Sequence, residues 1–319
     1  MPFRFLCFFP VLALFLLSPA SGQAPGNRDS ANGGVKKVPS GVILVKGAWS
    51  SASDSVTPLP EEGSVLNTAF SDRYFGMTYA LPQDWTEKYK GPPPSDTGHY
   101  VLTQLSPAAT FKGPAKGTIL ITAQDLFFTT VTAGNAAEFI NYMKDHLQSD
   151  YKVESPPNQI KIADRAFTFF AYWSPVAQLH WYVLATQIRC HVVQITLSSR
   201  DKKLLENLML GLNIMKLPME ASSTGGAGGG AVPACIKDYA QGENIIARVN
   251  PIFAEHKYNA IPVRIIIGKE GRVKHIHILS AFPDQAKAIT DALDQWKFKP
   301  YLRNGQPVEV ETGILFGRV

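Results

Sequence analysis

The chain has little of what marks most catalytic or membrane-embedded proteins. Past its first residues, no apolar run approaches the about 20 residues that span a bilayer; those at Ile119 to Ile121 and Ile265 to Ile267 are strand-sized. It carries no G-x-S-x-G elbow, no H-E-x-x-H, no C-x-x-C and no Walker sequence. No local motif therefore argues for an enzyme, and neither catalytic residues nor a cofactor are expected. Charge of one sign never gathers: 31 Lys+Arg face 26 Asp+Glu, and the dispersed net charge of +5 leaves no nucleic-acid footprint. Cysteine is scarce, and of the three, Cys7 lies in the apolar leader. Cys190 and Cys235 could pair in an oxidising compartment. They fall in different predicted domains, however, and sequence supplies no geometry for a bridge, so the favoured reading is two unpaired thiols.

At the start, Arg4 precedes an apolar core from Phe5 to Leu17 interrupted by Pro10, with small residues Ala20 and Gly22 before Gln23. This is the pattern of a secretory signal peptide over residues 1–22, cleaved near Gly22; a retained inner-membrane anchor is the alternative. Residues 23–63, rich in Gly, Ser, Pro and Asn, read as a flexible leader whose apolar island, Val42 to Val45, is free to add an edge strand elsewhere. With 319 residues, the chain has room for about two domains.

Residues 64–217 read as the first. Tyr74 to Pro82 gives a strand ended by proline, and strand-like runs rich in β-branched and aromatic residues recur at Tyr100 to Leu105, Thr118 to Ala123, Asn158 to Ile162, Phe167 to Trp173, His180 to Ile188 and His191 to Leu197. Short turns between them predict an antiparallel sheet. Two helices are predicted over Asn135 to Leu147 and Asp201 to Met215, with Asn135 and Ser199 as caps. The aromatic strand Phe167 to Trp173 fills a core or, alternatively, lines an apolar pocket with Trp181 and Tyr182. The fold class is α+β. In element order, and in its opening FGMTYALPQDW, the segment resembles the PsbP-like domains of exported bacterial proteins, which implies an α/β/α sandwich.

A Gly-rich break over residues 218–232 reads as a linker, and lacks the Lys and Ser or Thr of a phosphate loop. The last segment, 233–319, then reads as hairpin, helix and strand. Val263 to Ile267 and Val273 to Leu279 flank a Gly268 to Gly271 turn; a helix from Pro283 to Gln295 carries Ala286, Ile289, Leu293 and Trp296 as one stripe. Asn304-Gly305 then turns the chain into a final alternating strand. His275 and His277 share one face of their strand, read as solvated; a metal site would need more ligands than His256 alone could add, so none is expected.

Gly271-Arg272-Val273, the helix ending in tryptophan, the WKFKP box, Gly305 and the closing strand resemble the C-terminal domain of TonB-family proteins over roughly residues 249–319, with Asn250 to His256 as that family's short first helix. The resemblance implies binding by strand addition, in which an exposed sheet edge accepts a short peptide of an outer-membrane receptor or other envelope protein. The expected edge is the final strand: Glu309, Val310, Glu311, Thr312, Gly313, Ile314, Leu315 and Phe316. The reading is of a two-domain periplasmic binding protein, with a homodimer by strand exchange as a further option. A membrane-anchored energy transducer is the alternative; it would need the leader retained, and the sequence lacks a long Pro-rich spacer.

Overall fold

A computed structural model describes residues 59–91, 95, 97–110, 116–218, 232–253 and 260–317. The signal-peptide, leader-island and glycine-run expectations lie outside the described residues.

The first domain opens with three short strands, β1 (Ser64–Leu66), β2 (Ala69–Asp72) and β3 (Met77–Ala80), in one small antiparallel sheet. The main sheet comprises β4 (Trp85–Tyr89), β5 (His99–Pro107), β6 (Gly117–Asp125), β7 (Lys152–Ile162), β8 (Arg165–Ser174), β9 (Leu179–Ile188) and β10 (His191–Ser199) in the order β4-β5-β6-β10-β9-β8-β7. Every pairing in it is antiparallel. The turns are tight: Ala163 and Asp164 join β7 to β8 with both residues at positive φ, the twist a two-residue hairpin needs.

Alternation sorts the strand residues onto two faces. Val193, Ile195 and Leu197 pack with Ile119, Ile121 and Leu184 against Leu205, Leu208 and Leu212 and against Phe70, Met77 and Tyr79 of the small sheet. Val192, Val183, Ala185 and Phe170 instead meet Ala136 and Ile140. Helix α1 (Ala136–Asp145), which carries the latter pair, is capped by the Asn135 side chain, accepting the Glu138 amide at 2.9 Å. Helix α2 (Lys202–Gly211) is capped by Asp201, not by the expected Ser199. The Ser199 hydroxyl sits one step earlier, accepting the Asp201 amide and donating to the Lys116 carbonyl.

The C-terminal domain begins with a two-residue strand, β11 (Ala234–Cys235), and β12 (Ile245–Ala247). The hairpin β13 (Ile261–Ile267) and β14 (Val273–Ile278) follows, then helix α3 (Pro283–Leu293), β15 (Lys297–Phe298), the small hairpin β16 (Tyr301–Arg303) and β17 (Gln306–Val308) around Asn304-Gly305, and β18 (Val310–Phe316). Gly271 is required in the β13–β14 turn: its φ is +79°, and a Cβ there would lie 2.1 Å from the Phe298 carbonyl oxygen. One sheet face, built by Val263, Ile265, Ile267, Ile276 and Ile278, packs on Ala286, Ile289, Leu293 and Trp296. Asn250 to Phe253, expected as the start of a helix, form neither helix nor strand, although the carbonyl of the preceding Val249 accepts from Trp296 Nε1 at 2.6 Å. The rest of that expected helix lies outside the described residues.

All seven residues of β13 are buried, so the sheet face away from α3 is covered as well. What covers it is the first domain, and the two sheets belong to one compact unit. Gly313 lies at this junction. A Cβ there would sit 2.7 Å from Phe127 Cβ and 3.0 Å from Phe128 Cζ, both in the segment after β6. Gly313→Ala is expected to lower stability by roughly 1–3 kcal/mol through overpacking, whereas Gly134→Ala, whose Cβ meets nothing nearer than 3.5 Å, should change little. Urea unfolding of the two variants compares them; equal midpoints would show that the junction yields.

Candidate binding edge and the interface behind it

Sheet order in the C-terminal domain is β11-β18-β13-β14, so β18 has a neighbour on each side. β13 runs antiparallel to it with Ile265 opposite Thr312, along the whole strand. On the other side β11 runs parallel, Ala234 opposite Val310 and Cys235 opposite Glu311. The amides of Ala234 and Ile236 donate to the carbonyls of Glu309 and Glu311 at 2.7 and 3.1 Å. Main-chain groups alternate sides along a strand, so those of Gly313 and Leu315 point the same way, and no described strand pairs with them. The edge expected to be open along all of residues 309–316 is thus covered at its first part and open at its second.

The side chains of the strand divide sharply. Val310 and Phe316 are buried on the α3 face, Ile314 packs partly against it, and Phe316 meets Trp296 edge-on. Thr312 is buried and donates to the Lys237 carbonyl at 3.0 Å. Glu309 pairs with Lys274 at 2.9 Å, and Leu315 is 59 % exposed. Glu311 is fully buried, because its side chain enters the interface with the first domain.

There four charges alternate in sign and cross the interface twice. Asp125, at the end of β6, receives Arg264 Nη2; Arg264 Nη1 donates to Glu311 Oε1 at 2.8 Å; Arg189, between β9 and β10, donates through Nη2 to Glu311 Oε2 at 2.9 Å. The Tyr74 hydroxyl donates to Glu311 Oε1 at 2.5 Å and its ring lies under the Arg189 guanidinium at 3.9 Å, while Arg264 lies over the Phe127 ring at 4.8 Å. Burial alone would raise the Glu311 carboxyl, but Arg189, Arg264 and the Tyr74 hydroxyl outweigh it and hold it down to about 2. Burial pushes Asp125 upward, against the pull of Arg264 and the Phe127 amide. His191, enclosed by the rings of Tyr74, Phe75 and Tyr100, is driven well below its usual range by burial and then by Arg264 and Arg189. It is neutral, so its Nε2, 3.1 Å from Arg264 Nη2, is the acceptor.

Two expectations are corrected at this interface. Cys190 and Cys235 form a disulfide, with Cα atoms 5.5 Å apart, because domain docking brings β11 beside the β9–β10 turn. His275 and His277 do not lie on a solvated face: both are buried, and His277 Nε2 is 3.0 Å from Glu61 Oε1. Among the described residues, no group of three or more His, Cys, Asp or Glu is placed to hold a metal. The aromatic strand does two things: Phe167 and Phe170 fill opposite cores, while Phe169 and Tyr182 line a cavity of about 570 Å³ beside Met209 and Leu210. Arg264, Glu311, Asp125 and Arg189 went unremarked as a group in the sequence. The available signal was a lone arginine inside Ile-Pro-Val-Arg-Ile-Ile-Ile, a charge that such a strand tolerates only with a buried partner.

Residues 260–317 match the family described as the Gram-negative bacterial TonB protein C-terminal. No curated protein matches the chain. The matched stretch runs from just before β13 through β18, so it contains Arg264 and Glu311, whereas β11 and the whole first domain lie outside it. No described helix is long and apolar enough to cross a membrane.

Removing one member of the ion chain strands its neighbours. Glu311→Gln is expected to cost on the order of 3–5 kcal/mol in urea unfolding at pH 7, and a loss below about 1 kcal/mol would show that the chain relaxes. A second prediction concerns Asp72, buried on β2 with Oδ1 accepting the Phe75 amide. Burial, with Glu61 and Glu62 adding, raises it to about 7 despite the Phe75 and Tyr74 amides. Its folded value lies above the unfolded one, so ionisation costs stability progressively as pH rises from about 4 to 7. Asp72→Asn should therefore match the wild type near pH 4 and exceed it at pH 8 by a few kcal/mol, as read from melting temperatures; parallel pH profiles would refute it.

Proposed function

We propose that this is an exported envelope protein that binds, and does not catalyse. Its C-terminal domain captures an extended segment of an envelope partner, of the kind presented by outer-membrane TonB-dependent receptors, by strand addition to β18. The observation that supports this most directly is the outer edge at Gly313 and Leu315, with unpaired main-chain groups and an exposed leucine beside them among the described residues. β11 supplies a precedent within the molecule, a strand already seated on the same edge in parallel. A partner strand continuing past Cys235 would meet Gly313 and Leu315 in register.

The first domain acts in this reading as a scaffold, a PsbP-like α/β/α sandwich with α1 and α2 on opposite faces of its sheet. Docked through the ion chain, it holds the binding edge in a fixed direction. A membrane-anchored transducer of transport energy is the second reading; it requires the apolar leader to remain attached, and the family match over residues 260–317 is what favours it.

The test is an amide NMR titration of the deuterated full chain with peptides carrying receptor TonB boxes. Shifts are expected at Gly313 to Phe316 and at Ile236, with β7 and β8 unmoved. No shift at millimolar peptide would overturn strand addition at this edge.

A further inference from the structure

Resting on the strand-addition reading, we propose that Cys190–Cys235 is a thiol–disulfide exchange site that gates the binding edge: reduction releases β11 and opens β18 from Glu309 to Leu315.

β11 is a poor strand without its covalent tie. Only two residues pair, where ordinary strands run to about 5–6 residues, and each hydrogen bond contributes only about 1 kcal/mol net. The disulfide fastens this short strand to the β9–β10 turn of the first domain. Nothing else in the interface depends on it: the ion chain runs through Asp125, Arg264, Glu311 and Arg189, and Gly313 abuts Phe127, all without β11. The domains therefore remain docked when it is cut. Release also has an end point, because Tyr239 is buried in the C-terminal core and its hydroxyl donates to the Lys299 carbonyl at 2.6 Å. The freed stretch is Val232 to Ile236, and the groups it uncovers are those of Glu309 and Glu311 that β11 holds.

The two sulfurs differ in access. Cys190 is fully buried beside Phe127, Phe128 and Leu279, whereas Cys235 is exposed and lines a cavity of about 770 Å³. Arg73 and Arg303, both exposed, line the same cavity and favour an incoming thiolate. The attacking thiolate of a dithiol reductant bonds to Cys235 Sγ; the disulfide breaks, and Cys190 leaves as a thiolate that takes up a proton. The reductant's second thiol then attacks the mixed disulfide, becoming an internal disulfide and releasing Cys235 as a thiol. Two electrons pass from the dithiol to the protein.

Hydrogen exchange on the full chain with and without dithiothreitol tests this, with maleimide mass tagging to count the freed thiols. Reduction should add two tags and speed exchange about tenfold or more in peptides covering residues 232–237 and 309–313, leaving β6, β10 and β13 protected. The paired substitution Cys190→Ala with Cys235→Ser should reproduce the fast exchange and abolish the response to dithiothreitol. A disulfide that resists reduction, unchanged exchange after reduction, or loss of protection throughout the chain would each overturn the gate. Receptor-box peptides titrated onto both forms separate the two readings. Opening without binding to either form sinks strand addition and leaves the gate, whereas tighter binding to the reduced form supports both.

Discussion

The alternating chain Asp125, Arg264, Glu311, Arg189 is the constraint on which the arrangement of this molecule depends. Each of the two domains brings one cation and one anion; the inner pair, Arg264 and Glu311, belongs to the C-terminal domain, and each of its members has a second partner across the boundary. Buried charges are costly when alone and tolerable when every member is matched. The pairing therefore acts less as glue than as a register key: a slide or a rotation of one sheet over the other would separate Arg264 from Asp125 and Glu311 from Arg189, leaving Asp125 and Arg189 without their ionic partners. The apolar part of the contact, Gly313 against Phe127 and Phe128, supplies close approach but little direction.

Much of what surrounds the key follows from it. With the first domain on one face and α3 on the other, β13 is buried on both sides, and a strand of isoleucines and valines is what such a position selects. The single arginine in that strand is the price of the register. The disulfide adds a covalent tie across the same boundary. Closing its 45-residue span contributes about 4 kcal/mol in the chain-entropy picture, and docking supplies the approach of Cys190 to Cys235 that no sequence spacing prescribes.

How far the chain could be read in advance tracks the range of the forces involved. Strands β5 to β10, both helices of the first domain and the hairpin, helix and last strand of the second were legible, because alternation, helical periodicity and turn residues act over a few positions. Asn304-Gly305 and Gly271 were legible for the same reason, as backbone positions with positive φ. Asp201 capping α2 in place of Ser199 is a local contest between neighbouring acceptors, decided when Ser199 found the Lys116 carbonyl. The ion chain was not legible as a group: Tyr74 and Glu311 are 237 positions apart, and nothing local joins them. The histidine pair and the covered start of β18 escaped through the same blindness. A two-residue strand such as β11 carries no periodic signal, and solvated and docked strand faces look alike until the partner surface is known.

The Gly-rich segment shows why composition alone misleads about domain independence. Its sequence would let two domains wander if its ends were free. Both ends are pinned instead: the Pro218 carbonyl accepts from buried Arg165, and just past the other end Ala234 bonds to Glu309 while Cys235 is tied to Cys190. Between pinned ends, the length of a connecting segment changes only a loop-closure entropy that grows slowly. Composition alone therefore does not make the domains on either side of the segment independent. The strand that begins just past it, β11, is two residues long and carries the covalent tie to the β9–β10 turn. A covalent tie placed on that strand, while the ion chain spans the junction without it, is what would let the proposed gate act at β18.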